Sequence, residues 1–105
     1  MPNFITIFGY HVYFWSDEQQ PLEPVHVHIQ KGKPAANATK YWINEDGSIE
    51  QVHNHSQIPK SDLRKLEKTI EMYTDDIILQ WEEYFGEPAR FHNSSYERDE
   101  EDFGR

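Results

Sequence analysis

Residues 24–31 read Pro24-Val25-His26-Val27-His28-Ile29-Gln30-Lys31, and their alternation decides the fold. Successive side chains of a strand point to opposite faces, so Val25, Val27 and Ile29 share one side and His26, His28 and Gln30 the other. A strand with one apolar row needs an apolar layer to cover it. The C-terminal half supplies one: Leu63, Leu66, Ile70, Tyr73, Ile77, Trp81 and Tyr84 or Phe85 recur at spacings of three and four. That stripe predicts one amphipathic helix of about six turns. Ser61 is its expected N-cap, with Asp62 in the first turn against the positive end of the helix dipole. Gly86 and Pro88 mark its end, and Tyr73-Thr74 is where a kink would fall.

The remaining strands flank this core pair. Residues 4–15 alternate Phe4, Thr6, Phe8, Tyr10, Val12 and Phe14 against Ile5, Ile7, His11, Tyr13 and Trp15, which reads as a long strand with both faces partly covered and a bend or bulge at Gly9. Residues 16–23 form a polar loop. Lys31-Gly32-Lys33 reads as a turn into a strand over about 35–43, as far as strand boundaries can be read from pattern. Asn44-Glu45-Asp46-Gly47 is a hairpin signal leading into a strand over 48–53, because Asp-Gly supplies the positive φ a tight turn needs. The expected architecture is α+β, a four-stranded, mostly antiparallel sheet with one long C-terminal helix packed on one face. Residues 1–86 form the single domain and residues 87–105 an acidic, flexible tail.

The 105 residues suffice for one domain, and 14% aromatic content gives a short, polar chain the means to build a core. Net charge is −9, unevenly spread: residues 1–60 hold four lysines against six carboxylates, residues 61–105 six basic groups against thirteen. Such a field repels phosphate and disfavours broad nucleic-acid binding. No apolar stretch approaches the roughly 20 residues of a membrane span. With no cysteine, disulfides, thiolate nucleophiles and cysteine zinc sites are all excluded. Met1-Pro2-Asn3-Phe4 carries no basic leader, so a cytoplasmic location is expected.

Chemistry points first to the histidines, paired as His26-Val27-His28 and His53-Asn54-His55. Two imidazoles two residues apart on a strand lie roughly 6.5–7 Å apart at Cα and can reach one divalent metal ion. His53, His55 or Glu50 would be the third ligand; apart from that ion no cofactor is expected. A metal-free alternative uses His26 and His28 with Lys40 for acid–base chemistry, as in metal-independent RNA cleavage. The bland alternative is that the pair bonds its strand neighbours or lines an interface. No phosphate-cradling glycine loop, nucleophile elbow or close carboxylate dyad accompanies them. Trp15, Tyr41 and Trp42 are the candidate binding residues, since such side chains dominate protein interfaces; core packing is the other use for each.

The segment Glu23-Pro24-Val25-His26-Val27-His28, with Phe8-Gly9-Tyr10 before it, Lys31-Gly32-Lys33 after it and Ile77-Ile78-Leu79-Gln80-Trp81 late in the helix, resembles a family of small bacterial proteins known as a domain of unknown function. Its members carry a Pro-Pro-His-Phe-His-like segment. Here Glu23 stands for the first proline and Val27 for the aromatic, and the His53/His55 pair lies outside the pattern. The resemblance spans about residues 4–85. It implies a small protein partner encoded nearby, in an arrangement read as a toxin–antitoxin pair, and no defined reaction. The expected function is a protein-binding module; the alternative is a small hydrolase or ribonuclease centred on His26 and His28.

Overall fold

The computed structural model describes residues 3–15 and 22–93. Most of the expected loop 16–23 and residues 94–105 of the acidic tail lie outside the described residues. Five strands, β1 (Asn3–Ile7), β2 (Tyr10–Tyr13), β3 (His26–Lys31), β4 (Thr39–Ile43) and β5 (Ile49–His53), precede two helices, α1 (Lys60–Met72) and α2 (Thr74–Phe85). The strands form one antiparallel meander in the order β1-β2-β3-β4-β5. The α+β class and the antiparallel sheet are as expected, but the sheet has five strands, not four, and the helix is two, not one.

The extra strand comes from Phe8-Gly9. Both residues have positive φ, 52° and 82°, and Ile7 pairs with Tyr10 across them. This two-residue turn has the handedness that matches strand twist. It also inverts parity. Ile5 faces Val12 and Ile7 faces Tyr10, so odd positions of β1 share a face with even positions of β2. Ile5 and Ile7 from one side of the expected long strand and Tyr10 and Val12 from the other therefore share one side of a hairpin.

That face continues through register partners Val12–Ile29, Val27–Tyr41 and Ile43–Ile49. Leu63, Leu66 and Ile70 of α1 and Ile77 and Trp81 of α2 complete the core cluster. Two tyrosines tie the sheet to α1 at their hydroxyls: Tyr10 donates to Asp62 (2.8 Å) and Tyr41 donates to Glu67. Burial, reinforced by the neighbouring carboxylate, raises both phenols above their ordinary range.

The helix breaks at Tyr73, whose φ and ψ of −118° and 13° leave the α region. Thr74 is buried there, its hydroxyl against the Glu71 carbonyl and close to Gly47 in the β4–β5 turn. Tyr73 N–H donates to the Ile70 carbonyl and its own carbonyl accepts from Ile77 N–H, so the residue closes one helix and opens the next. At the front of α1, Pro59 takes the N-cap position in place of Ser61, and its carbonyl accepts from Leu63 N–H at 2.9 Å. Gly86, at φ 72°, ends α2 as expected.

Residues 87–93, expected in the tail, run back along the body. Arg90 carbonyl accepts from Val25 N–H at 2.8 Å, and Ala89 and Phe91 pack against the core. No helix among the described residues is long and apolar enough to cross a membrane.

The hairpin can be checked by substitution. Gly9→Ala should lose ~1 kcal/mol, the cost of a Cβ at positive φ, because the new methyl meets nothing closer than Lys31 Cε at 4.0 Å. Phe8→Asn, which creates the preferred Asn-Gly turn, should be neutral or stabilising in denaturant melts. In a continuous strand Gly9→Ala would stabilise instead.

Candidate functional site

The face opposite α1 carries the residues singled out by pattern. Register pairs place Tyr13, His28, Lys40 and His53 in one row across β2 to β5, and His26, Trp42 and Glu50 in a second row across β3 to β5. Antiparallel pairing gives both rows without further help, because side chains directly opposite each other share a face.

His26 and His28 lie opposite the Val25, Val27 and Ile29 row, as expected. They are not reachable, however: they are 1% and 4% exposed. His28 stacks on Tyr13 at 5.7 Å, and His26 meets His28 edge-on at 5.2 Å and Trp42 at 5.8 Å. Nor does the pair stand clear of the helices, because Trp81 of α2 touches His26 at 5.2 Å as well as Phe14 at 5.4 Å. Cover also comes from the loop before β4. There the Tyr13 hydroxyl donates to Ala35 carbonyl and accepts from Ala35 N–H, pinning that loop.

Each ring spends one nitrogen on the backbone. His26 Nδ1–H donates to Pro24 carbonyl at 2.8 Å and His28 Nδ1–H to Ala38 carbonyl at 3.3 Å. A carbonyl only accepts, so the proton sits on Nδ1 in both. That fixes tautomer and ring orientation, and Nε2 is the nitrogen that would meet a metal or a reacting proton.

Lys40 separates the two histidine pairs. It stands between His28 and His53 in its row, bonds Glu23 at 2.6 Å and lies over the Trp42 ring at 4.5 Å. His28 and His53 are two strands apart, roughly 9–10 Å at the backbone, with an ammonium group between them. Among the described residues no group of three or more His, Asp or Glu is placed to hold a metal ion. His53 stacks instead on His55, with ring centroids 3.6 Å apart. Burial, the His55 ring and the Lys40 charge all push the His53 imidazole below its ordinary pKa. For Glu23, burial works to raise the carboxyl. The Lys40 ammonium, aided by the histidines beyond it, outweighs burial and holds Glu23 below its usual range.

Of the aromatic candidates, Tyr41 is a core residue, bonded to Glu67 and Gln51. Trp15 is half-buried. Trp42 is half-buried beneath Lys40 and His92, whose ring stacks on it at 4.9 Å. His92 also donates from Nε2 to Asn44 Oδ1 (2.9 Å) and lies 3.2 Å from Glu50. Nothing in local pattern pairs residues 42 and 92; that contact exists because the segment after α2 turns back over the sheet.

A family model for a domain of unknown function, DUF4160, matches residues 9–82. The chain belongs to this family. The match runs from the β1–β2 turn into α2, so the histidine strand and most of the helical layer form the DUF4160 body, while β1 and the segment carrying His92 lie outside it. No curated protein and no solved structure matches the chain.

Two outcomes test the histidine face. His26→Ala removes a buried ring and a backbone hydrogen bond, and should lower stability by ~2–4 kcal/mol in denaturant melts. By NMR titration His53 should protonate below the free-histidine range, and Lys40→Met should move its midpoint upward. Since folding lowers this pKa, His53 contributes no penalty at pH 8; stability falls as pH drops through the unfolded histidine value near 6.5 and levels off below the folded one.

Proposed function

We propose that this DUF4160 chain is a protein-binding module, one half of a two-protein, toxin–antitoxin-like pair. The observation that carries the reading is where apolar surface remains uncovered. Of the exposed large apolar residues among those described, Phe8, Val52 and Met72 are scattered, whereas Tyr73, Leu79 and Tyr84 lie together along α2 on the side of β1, Leu79 57% and Tyr84 48% exposed. Single exposed apolar residues are ordinary; several on one flank beside a sheet edge are the usual mark of a partner's seat. The polar face, in contrast, is filled by its own rings and loops.

A second reading, a His-based hydrolase or ribonuclease, draws on the His28, Lys40, His53 row. Acid–base work needs a group within hydrogen-bond reach of substrate. Buried rings committed to Pro24 and Ala38, and a lysine committed to Glu23, favour the binding module.

Co-expression with the protein encoded beside it tests the proposal. The pair should elute together as one complex of constant stoichiometry. A monodisperse chain whose elution is indifferent to that neighbour would contradict it.

A further inference from the structure

Two adjoining depressions flank α2. One, of about 340 Å³, is lined by Phe4, Ile5, Tyr73 and Leu79 with Asp76 and Glu83. The other, of about 470 Å³, lies between Phe14 and Tyr84 and shares Gln80 and Glu83 with the first. Together they make a groove bounded by the outermost strand of the sheet.

That strand is open. β1 ends the sheet, and no described segment pairs with its outer edge. Its sequence, Asn3-Phe4-Ile5-Thr6-Ile7, has no charge and no proline; of the devices that blunt an edge it has one, a register shift between Asn3 and Ile5, which leaves Ile5–Ile7 as the regular stretch. The opposite edge, β5, has a register shift of the same kind against β4 and differs in carrying a charge, Glu50.

The groove's charge selects among occupants. The charged lining residues are two carboxylates, Asp76 and Glu83, and from Glu71 to Ala89 the chain has no lysine, arginine or histidine to offset them. A second copy would bring the same field against itself. The chain's own residues 94–105 are a poor fit too, with five carboxylates against two arginines. A cationic segment gains where both of these lose.

We infer that the groove between β1 and α2 seats an extended, lysine- or arginine-rich segment of a partner protein. The segment adds a strand to β1, its apolar side chains resting on Phe4, Ile5 and Leu79 and its cations meeting Asp76 and Glu83. Backbone pairing supplies affinity in such docking, and alternate side chains supply specificity. This deepens the protein-binding reading and rests on it.

The probe is a soluble peptide of alternating valine and lysine, titrated into the full chain and followed by amide NMR, with a valine–glutamate peptide as control. Saturable shifts should appear at Ile5, Ile7, Leu79 and Glu83 with the lysine peptide alone. The variant D76K/E83K, altered only at exposed positions, should bind about tenfold more weakly or worse, and D76N/E83Q should fall between. The inference is overturned by shifts centred on another surface, by equal response to both peptides or by no saturable response. Concentration-dependent shifts of the same amides without peptide overturn it in favour of a second copy. If the encoded neighbour binds D76K/E83K as tightly as the wild type, the groove fails while the protein-binding reading survives; if the neighbour does not bind the wild type, that reading fails.

Discussion

The parity inversion at Phe8-Gly9 is the constraint on which the rest of the molecule depends. A strand run straight from residue 4 to residue 15 would split Ile5 and Ile7 from Tyr10, Val12 and Phe14. The two-residue turn gathers all five onto the side that α1 and α2 cover. By the same step Tyr13 goes to the other side, where its ring stacks on His28 and its hydroxyl clamps Ala35. One turn thus builds the core face and closes the histidine face together.

A division of the surface follows. On the histidine face, polar groups answer one another: His26 and His28 bond backbone carbonyls, Lys40 answers Glu23, and His92 answers Asn44 and Glu50. Buried polar groups carry a desolvation cost unless bonded, so such a layer is stable only when largely satisfied internally. The β1–α2 flank is the converse, with apolar side chains uncovered, a strand edge unpaired among the described residues, and a carboxylate field that no basic residue between Glu71 and Ala89 offsets. In this chain the strand that carries His26 and His28 is thereby buried framework, and the groove lies where the DUF4160 match gives out toward β1.

What was legible in the sequence was whatever is written in local periodicity. The Val25, Val27, Ile29 alternation, the Asp46-Gly47 turn, the stripe from Leu63 to Trp81 and the Gly86 stop all reappear as elements. Phe8-Gly9 was hidden because a phenylalanine at positive φ is uncommon, so Gly9 alone signalled only a bend. The break at Tyr73 falls where the sequence placed a kink, but a kink was expected in one helix and the chain there leaves the α region and starts a second. Burial of the histidines was illegible because Tyr13, Trp81 and the loop at Ala35 close that face from three separate parts of the chain. Glu23 and His92, both part of the site, carry no pattern of their own.

Accessibility of the individual histidines tests the central claim, a closed histidine face on a molecule whose open surface lies elsewhere. Brief reaction of the folded chain with diethyl pyrocarbonate, read out by peptide mass spectrometry, separates them. His11 and His55 should be modified readily, and His26 and His28 should stay unmodified until the protein is unfolded. Reaction of His26 and His28 at the rate of His55 in the native state would contradict the account.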